Sequence, residues 1–332
     1  MKRITIEDVA AAAGVSRQTV SRAMNDKGEI SPETKERVLK AIQDLGYQPN
    51  RLAQGMVTQR TKTVGLVMPD ITNLFFPEVS RGVQDASRLH DYNVLLCNTD
   101  DRPEEEIRVL HSLAAQRVDG IFMIGSVADD PTLTRFADSY SPIVMLNRFF
   151  AHPNVSLIIV DNERGAFLAV EHLIAQGHRT IGMLAASIFS RSLVRRVRGY
   201  EEALKHYGIA VDRRLIVGET PILQGGYNAM QELMRAHPEV TAVFTYNDLM
   251  GLGAMRAVRD LGKRVPEDIA LIGFDNIGMA SMATPSLSSI HVDKYAIGQK
   301  AMNRILDMLD RPDDSFATIE VGVELIQRES TG

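Results

Sequence analysis

At 332 residues the chain is too long for one small core, and its 45% hydrophobic and 24% charged content is the balance of a soluble globular protein. No apolar run approaches the roughly 20 residues of a membrane span, the basic N-terminus lacks an apolar signal segment, and the lone Cys97 excludes an internal disulfide. Residues 1–62 carry eleven Lys/Arg against seven Asp/Glu while the whole chain is at −5, so a small basic head sits on an acidic body and a polyanion partner is expected for the head alone.

The head reads as three helices. Thr5 followed by Asp8 matches a capping box opening a helix to Ala13, which Gly14 ends. Ser16 is a good N-cap for a second helix from Arg17 to Met24. Ser31 with Pro32 starts a third, with Val38, Leu39, Ile42 and Leu45 as its apolar stripe and Gly46 as its stop. The stretch YQPNRLAQGMVTQRTKT that follows has too few apolar residues for a core; it reads as a linker in which Asn50 can cap one short helix, 51–57.

From Val64 the pattern becomes short apolar strands alternating with helices. Strands are expected at 64–69, 93–99, 120–126, 142–147, 157–162, 180–185, 215–219, 242–248 and 269–276, with helices such as 77–90, 103–116, 163–176, 224–236 and 249–261 between them. That alternation predicts parallel sheets covered on both faces, and nine strands suggest two doubly wound sheets. Polar residues end many strands: Asp70, Asn147, Asp161, Asn247 and Asp275, where open α/β sheets hold ligands.

Most catalytic chemistry is missing. The histidines have no metal-ligand spacing, GLGAMR at 251 lacks the third glycine of a dinucleotide fingerprint and reads as helix packing, and no nucleophile motif occurs. The Asp pairs at 100, 129 and 313 read as solvated loops. No enzyme activity, metal or cofactor is implied.

The second head helix is different. Val20, Ala23 and Met24 share one face, and Arg17, Gln18, Ser21, Arg22 and Asn25 share the other, with no acid of that helix among them. Two short helices joined through a glycine turn fit a helix-turn-helix, in which Arg reads guanine edges, Gln or Asn reads adenine, and Ser suits phosphates.

With IEDVAAAAGVSRQTVSRAMN, then GYQPNRLAQ, then an α/β body containing NLFFPEV, RVDGIFM, VPEDIALIGFDN and TPSLSSIH, the chain resembles the LacI/GalR family of bacterial transcription regulators, with a sensor of the ribose-repressor type. The resemblance implies a helix-turn-helix domain at 1–47, a hinge at 48–61 and a two-lobed, periplasmic-binding-protein-like core at 62–332. Lobe 1 would be about 62–161 with 292–320, and lobe 2 about 162–291 with 321–332. It implies a cytoplasmic homodimer on a near-palindromic operator, with no membrane partner, and no heptad tail follows Gln327 to build a tetramer. Arg17, Gln18 and Arg22 would read bases, Thr5, Ser16, Thr19, Ser21 and Asn25 would fix phosphates, and Asn50, Ala53 and Met56 would form the hinge and its minor-groove contact. A small-molecule effector, a monosaccharide or sugar derivative, would meet Asn73, Phe75, Phe76, Asn147, Arg148, Arg196, Asn247 and Asp275. Asn147 stands where an aspartate is frequent, Val292 where a glutamine is, and the region of Pro221 lacks an aromatic. With Arg191 and Arg195 near, that balance favours a pentose, sugar acid or sugar phosphate over a nucleobase. The rival readings are a solute-binding protein of the same fold without a DNA role, and a nucleobase- or nucleoside-responsive regulator.

Overall fold

The computed structural model describes residues 4–24, 30–47, 60–188, 190–311 and 316–332. It divides into two compact units, Met1–Thr61 and Lys62–Gly332.

In the first unit, α1 (Ile6–Ala13), α2 (Arg17–Met24) and α3 (Pro32–Leu45) surround a small core of Val9, Ala10, Ala13, Val20, Ala23 and Val38. The capping box is reciprocal: the Asp8 amide donates to Thr5 Oγ1 at 3.4 Å, and the Thr5 amide donates to Asp8 Oδ2 at 2.8 Å. Gly14 turns the chain at φ 63°, a left-handed conformation that favours glycine, and Ser16 Oγ then accepts the Thr19 amide at 3.1 Å to open α2. Arg37 Nε ties α3 to the end of α1 through Ala13 O at 3.0 Å. One expectation fails. Leu39 is 46% exposed, because it lies about 100° around the helix from Val38, and the stripe closes through Ala41, Ile42 and Leu45.

In the second unit, two six-stranded sheets carry helices on both faces. The first has the order β11 (Thr318–Val321), β5 (Val155–Val160), β4 (Ile143–Leu146), β3 (Gly120–Ile124), β1 (Thr63–Met68), β2 (Asn93–Asn98). The second runs β12 (Val323–Ile326), β10 (Ser288–Val292), β9 (Ala270–Asp275), β8 (Ala242–Thr245), β6 (Ile181–Ala186), β7 (Ile216–Glu219). The nine expected strands all form. The other three, β10, β11 and β12, lack an apolar run: SSIHV is small and polar, while TIEV and VELI each span four residues.

The sheets are not wholly parallel, since β12 lies antiparallel on β10. A single residue, Gly322, separates β11 from β12, too short for the crossover a parallel neighbour needs. The chain therefore leaves the edge of one sheet and enters the other reversed. Val321 pairs with Val160 and Val323 with Val292, so the three passages between sheets lie side by side.

The helices are α4 (Phe75–Arg88), α5 (Pro103–Ala115), α6 (Asp130–Ser139), α7 (Asn162–Ala175), α8 (Arg191–His206), α9 (Leu223–Ala236), α10 (Asp248–Asp260), α11 (Gly278–Met282) and α12 (Lys294–Asp310). GLGAMR is a packing motif. A Cβ on Gly253 would stand 1.9 Å from Leu223 O, so the glycine lets α10 lie directly on α9. Among the described residues no helix is long and apolar enough to cross a membrane.

Candidate functional site

The carboxyl ends of the strands of both sheets open onto one cavity of about 230 Å³. All eight residues expected to meet an effector line it, and each arrives from a strand end or the first turns of a following helix. Asn73, Phe75 and Phe76 come from the loop after β1 and the start of α4, where the two rings meet edge to face at 5.5 Å. Asn147 and Arg148 follow β4, Asn247 follows β8 and Asp275 ends β9.

Arg196, on α8, holds the centre. Only 5% exposed, it donates through Nε to Asn162 Oδ1 at 2.8 Å, through Nη2 to Asp275 Oδ1 at 3.2 Å, and through Nη1 to Tyr246 O. Its guanidinium stacks on Phe274 at 3.6 Å and on Tyr246 at 4.6 Å. Burial pushes the Asp275 carboxyl up, against the pull of Arg196 and Lys294. Lys294 is itself 1% exposed and donates to Asp275 O at 2.6 Å and Asn276 O at 3.0 Å, fixing the loop that carries Asp275.

Asn247 and Asn147 also serve the fold. Asn247 caps α10, accepting the Met250 amide at 2.9 Å, and donates to Pro221 O at 3.0 Å. Asn147, at φ 57°, accepts the Val160 amide at 2.9 Å, so its oxygen is committed to β5 and its amide nitrogen is what it can offer a ligand.

The arginine surplus expected to favour an anion is already neutralised. Arg148 pairs with Asp130, Arg195 with Glu163 at 3.5 Å and Arg196 with Asp275, which leaves Arg191 without an ion pair among the described residues. Arg148 also donates to Ser126 O at 2.9 Å, and its Nε is buried without an acceptor among the described residues.

The Asp pairs are not all solvated surface. Asp101 lines the cavity, Asp130 holds Arg148, and Asp129 caps α6 by accepting the Thr132 amide at 2.7 Å; Asp313 lies outside the described residues. Val292 is fully buried and does not line the cavity. The aromatic missing near Pro221 has a counterpart in Tyr246, which lines the wall and whose hydroxyl lies 3.3 Å from Ser190 Oγ. Sequence reasoning passed over Tyr246, one residue before Asn247, and Asn162, one after Asp161. Both stand at strand ends, the signal that found their neighbours.

On the head, Ser16, Arg17 and Gln18 of the α2 region are exposed, Thr19, Ser21 and Arg22 are half-buried, and Thr5 is exposed at the start of α1. The Ser16 and Thr19 hydroxyls lie 2.9 Å apart within the α2 cap. Glu7 of α1 reaches the acid-free face, pairing with Arg17 at 3.0 Å. Asn25, Asn50, Ala53 and Met56 lie outside the described residues.

Comparison with known proteins agrees with both parts. Residues 61–329 match the model for periplasmic binding proteins and the sugar binding domain of the LacI family, and residues 5–50 match that of bacterial regulatory proteins, lacI family. Catabolite control protein A of Priestia megaterium is 33% identical over 99% of each chain. Among solved structures, a transcriptional regulator CelR–cellobiose complex is 34% identical at TM-score 0.76, covering 99% of this chain and 100% of that one. A lac repressor dimer bound to operator and the anti-inducer ONPF is 29% identical at TM-score 0.88, covering 99% of each. The chain belongs to the lacI family of bacterial regulatory proteins, as a DNA-binding transcriptional regulator with the sugar-binding body of that family.

Proposed function

We propose that this regulator acts in the cytoplasm as a homodimeric repressor on a near-palindromic operator, and that a small sugar-like molecule in the cleft between the two sheets sets its operator affinity. The observation that carries the effector half is the cavity itself. Eight residues from strand ends and the helices that follow them in both sheets line it, and the buried Arg196–Asp275 pair offers a donor and an acceptor side by side, suited to vicinal hydroxyls. Closing such a cleft changes the spacing of the two sheets where the chain passes between them, and that change is available to the head.

Arg17, Gln18 and Arg22 are the proposed base readers, with Thr5, Ser16, Thr19, Ser21 and Asn25 on phosphates and Asn50, Ala53 and Met56 in the hinge. The core is taken as the two lobes about 62–161 with 292–320 and about 162–291 with 321–332. A solute-binding protein has no use for such a head, which disfavours that alternative.

Two measurements test the reading. Anisotropy titrations on duplex DNA selected from random sequence should give binding that falls steeply with salt, as phosphate contacts release counterions. Arg22→Ala should cost about 1–3 kcal/mol and relax one base pair per half-site. Calorimetry with the best hit of a sugar and nucleoside screen should show loss in Arg196→Ala and in Asp275→Ala. Salt-insensitive DNA binding sinks the first half, and wild-type ligand affinity in both cleft variants sinks the second.

A further inference from the structure

The wall formed by the first sheet holds a half-buried carboxylate with no hydrogen-bond or ion-pair partner among the described residues. Asp70, Asp100, Asp101 and Glu106 gather at that end of the cleft. Glu106 is buried and accepts Ser126 Oγ at 2.6 Å and the Val127 amide at 2.8 Å. Asp70 accepts the Thr72 amide at 2.9 Å and its hydroxyl. Asp100 is bonded by Asn98 and lies 3.5 Å from Arg102. Asp101 alone of the four makes no hydrogen bond or ion pair among the described residues, yet it is half-buried and lines the cavity.

Its backbone is held in the left-handed region at φ 54°, directly after Asp100 at φ 54°. Two successive non-glycine residues in that region are costly, and such strain persists where the surroundings impose it. Burial, together with Asp70, Glu106 and Asp100, pushes the Asp101 carboxyl up, as expected for an acid lacking a donor. On the same wall Arg148 is engaged by Asp130, and across the cavity Arg196 is engaged by Asp275, while Arg191 on α8 is a lining cation without an ion pair among the described residues.

We propose that Asp101 is a specificity-determining residue of the effector site, accepting hydroxyl hydrogens of a neutral sugar at this end of the cavity and turning away sugar acids and sugar phosphates. The inference rests on the cleft reading above and narrows it. A hydroxyl supplies the donor Asp101 lacks, whereas a carboxylate or phosphate there meets Asp70 and Asp101 with no free cation on that wall.

The test uses the full chain and matched probes: D-glucose against D-glucuronate, and D-ribose against ribose phosphate, followed by thermal shift and calorimetry. A neutral member of a pair is expected to bind and its anion to bind at least about tenfold more weakly. Asp101→Asn, which tolerates the left-handed backbone, should weaken the neutral sugar by about tenfold and narrow the gap to its acid. Without ligand, the same variant should melt roughly 1–3 °C higher, because it removes an unsatisfied charge from an acidic cluster. Preferential binding of either anion, no binding of either neutral sugar, wild-type affinity in Asp101→Asn, or a lower melting temperature for that variant overturns the proposal. Arg196→Ala separates the two levels. Loss there with no effect of Asp101→Asn leaves the cleft standing and removes only Asp101, whereas no effect of either removes the cleft.

Discussion

Asn162 Oδ1 accepts Arg196 Nε at 2.8 Å, while its Nδ2 donates to Val160 O at 3.1 Å and reaches Asn147 Oδ1 at 3.5 Å. Asn162 is 2% exposed, is the first residue of α7 and stands where the chain passes from one sheet to the other. It joins the central arginine of the cavity to the opposite wall without lining the cavity itself. Asn162→Ala should therefore weaken effector binding by about tenfold and cost roughly 1–3 kcal/mol of stability, since it orphans a buried donor. Calorimetry and urea unfolding read the two effects; an unchanged ligand affinity would mean that Arg196 is held by its other partners alone.

Asp248 is fully buried beside the cleft, accepting Ser289 Oγ at 2.6 Å and the Ile277 amide at 2.7 Å. Burial, reinforced by Asp275, pushes its carboxyl from 3.8 up to about 8. Between those values the folded state holds a proton that the unfolded chain has released. The contribution to stability is thus complete below pH 3.8, shrinks as pH rises, and is gone above pH 8. The slope is at most about 1.4 kcal/mol per pH unit. Asp248→Asn should flatten the decline between pH 5 and pH 8 in urea unfolding. Parallel wild-type and variant curves would place the carboxyl in its ordinary range.

Glu7 and Arg17 form an exposed pair at 3.0 Å on the proposed DNA face. Such pairs contribute little to stability, but the acid draws Arg17 aside and repels phosphates. Glu7→Gln should leave the melting temperature within about a degree and tighten duplex binding by about two- to fivefold at low salt, an advantage that shrinks as salt screens it. Weaker binding in anisotropy titrations would make Glu7 an organiser of the head.

Gly253 meets the Leu223 carbonyl across the α9–α10 contact. Gly253→Ala forces a methyl against backbone that cannot swing away, so about 1–3 kcal/mol of destabilisation is expected despite alanine's better helix propensity. Thermal unfolding that matched or exceeded wild type would show the helices free to separate.

Local chemistry determined much of this protein before any contact was known. Caps and turn glycines act within four residues, which is why Thr5–Asp8, Ser16 and Ser31 predicted their helices. Apolar strand runs between amphipathic helices were enough for two doubly wound sheets, and strand-end polarity picked out Asp70, Asn147, Asn247 and Asp275, which share one cavity, while the family resemblance supplied the other expected lining residues. What the sequence did not show depends on groups brought together from far apart. Strand β12 is too short to signal itself, and its reversed direction follows from one residue of connection between two sheet edges. Leu39 loses its place in the core because the other head helices cover the Val38 side. The arginine-rich cleft is not a net positive site, because Asp130, Glu163 and Asp275 come from other elements to meet Arg148, Arg195 and Arg196. Asp101 reads as a loop residue until the fold turns it into the cavity without a donor. A charge's meaning depends on its partners and its burial, and only tertiary structure decides either.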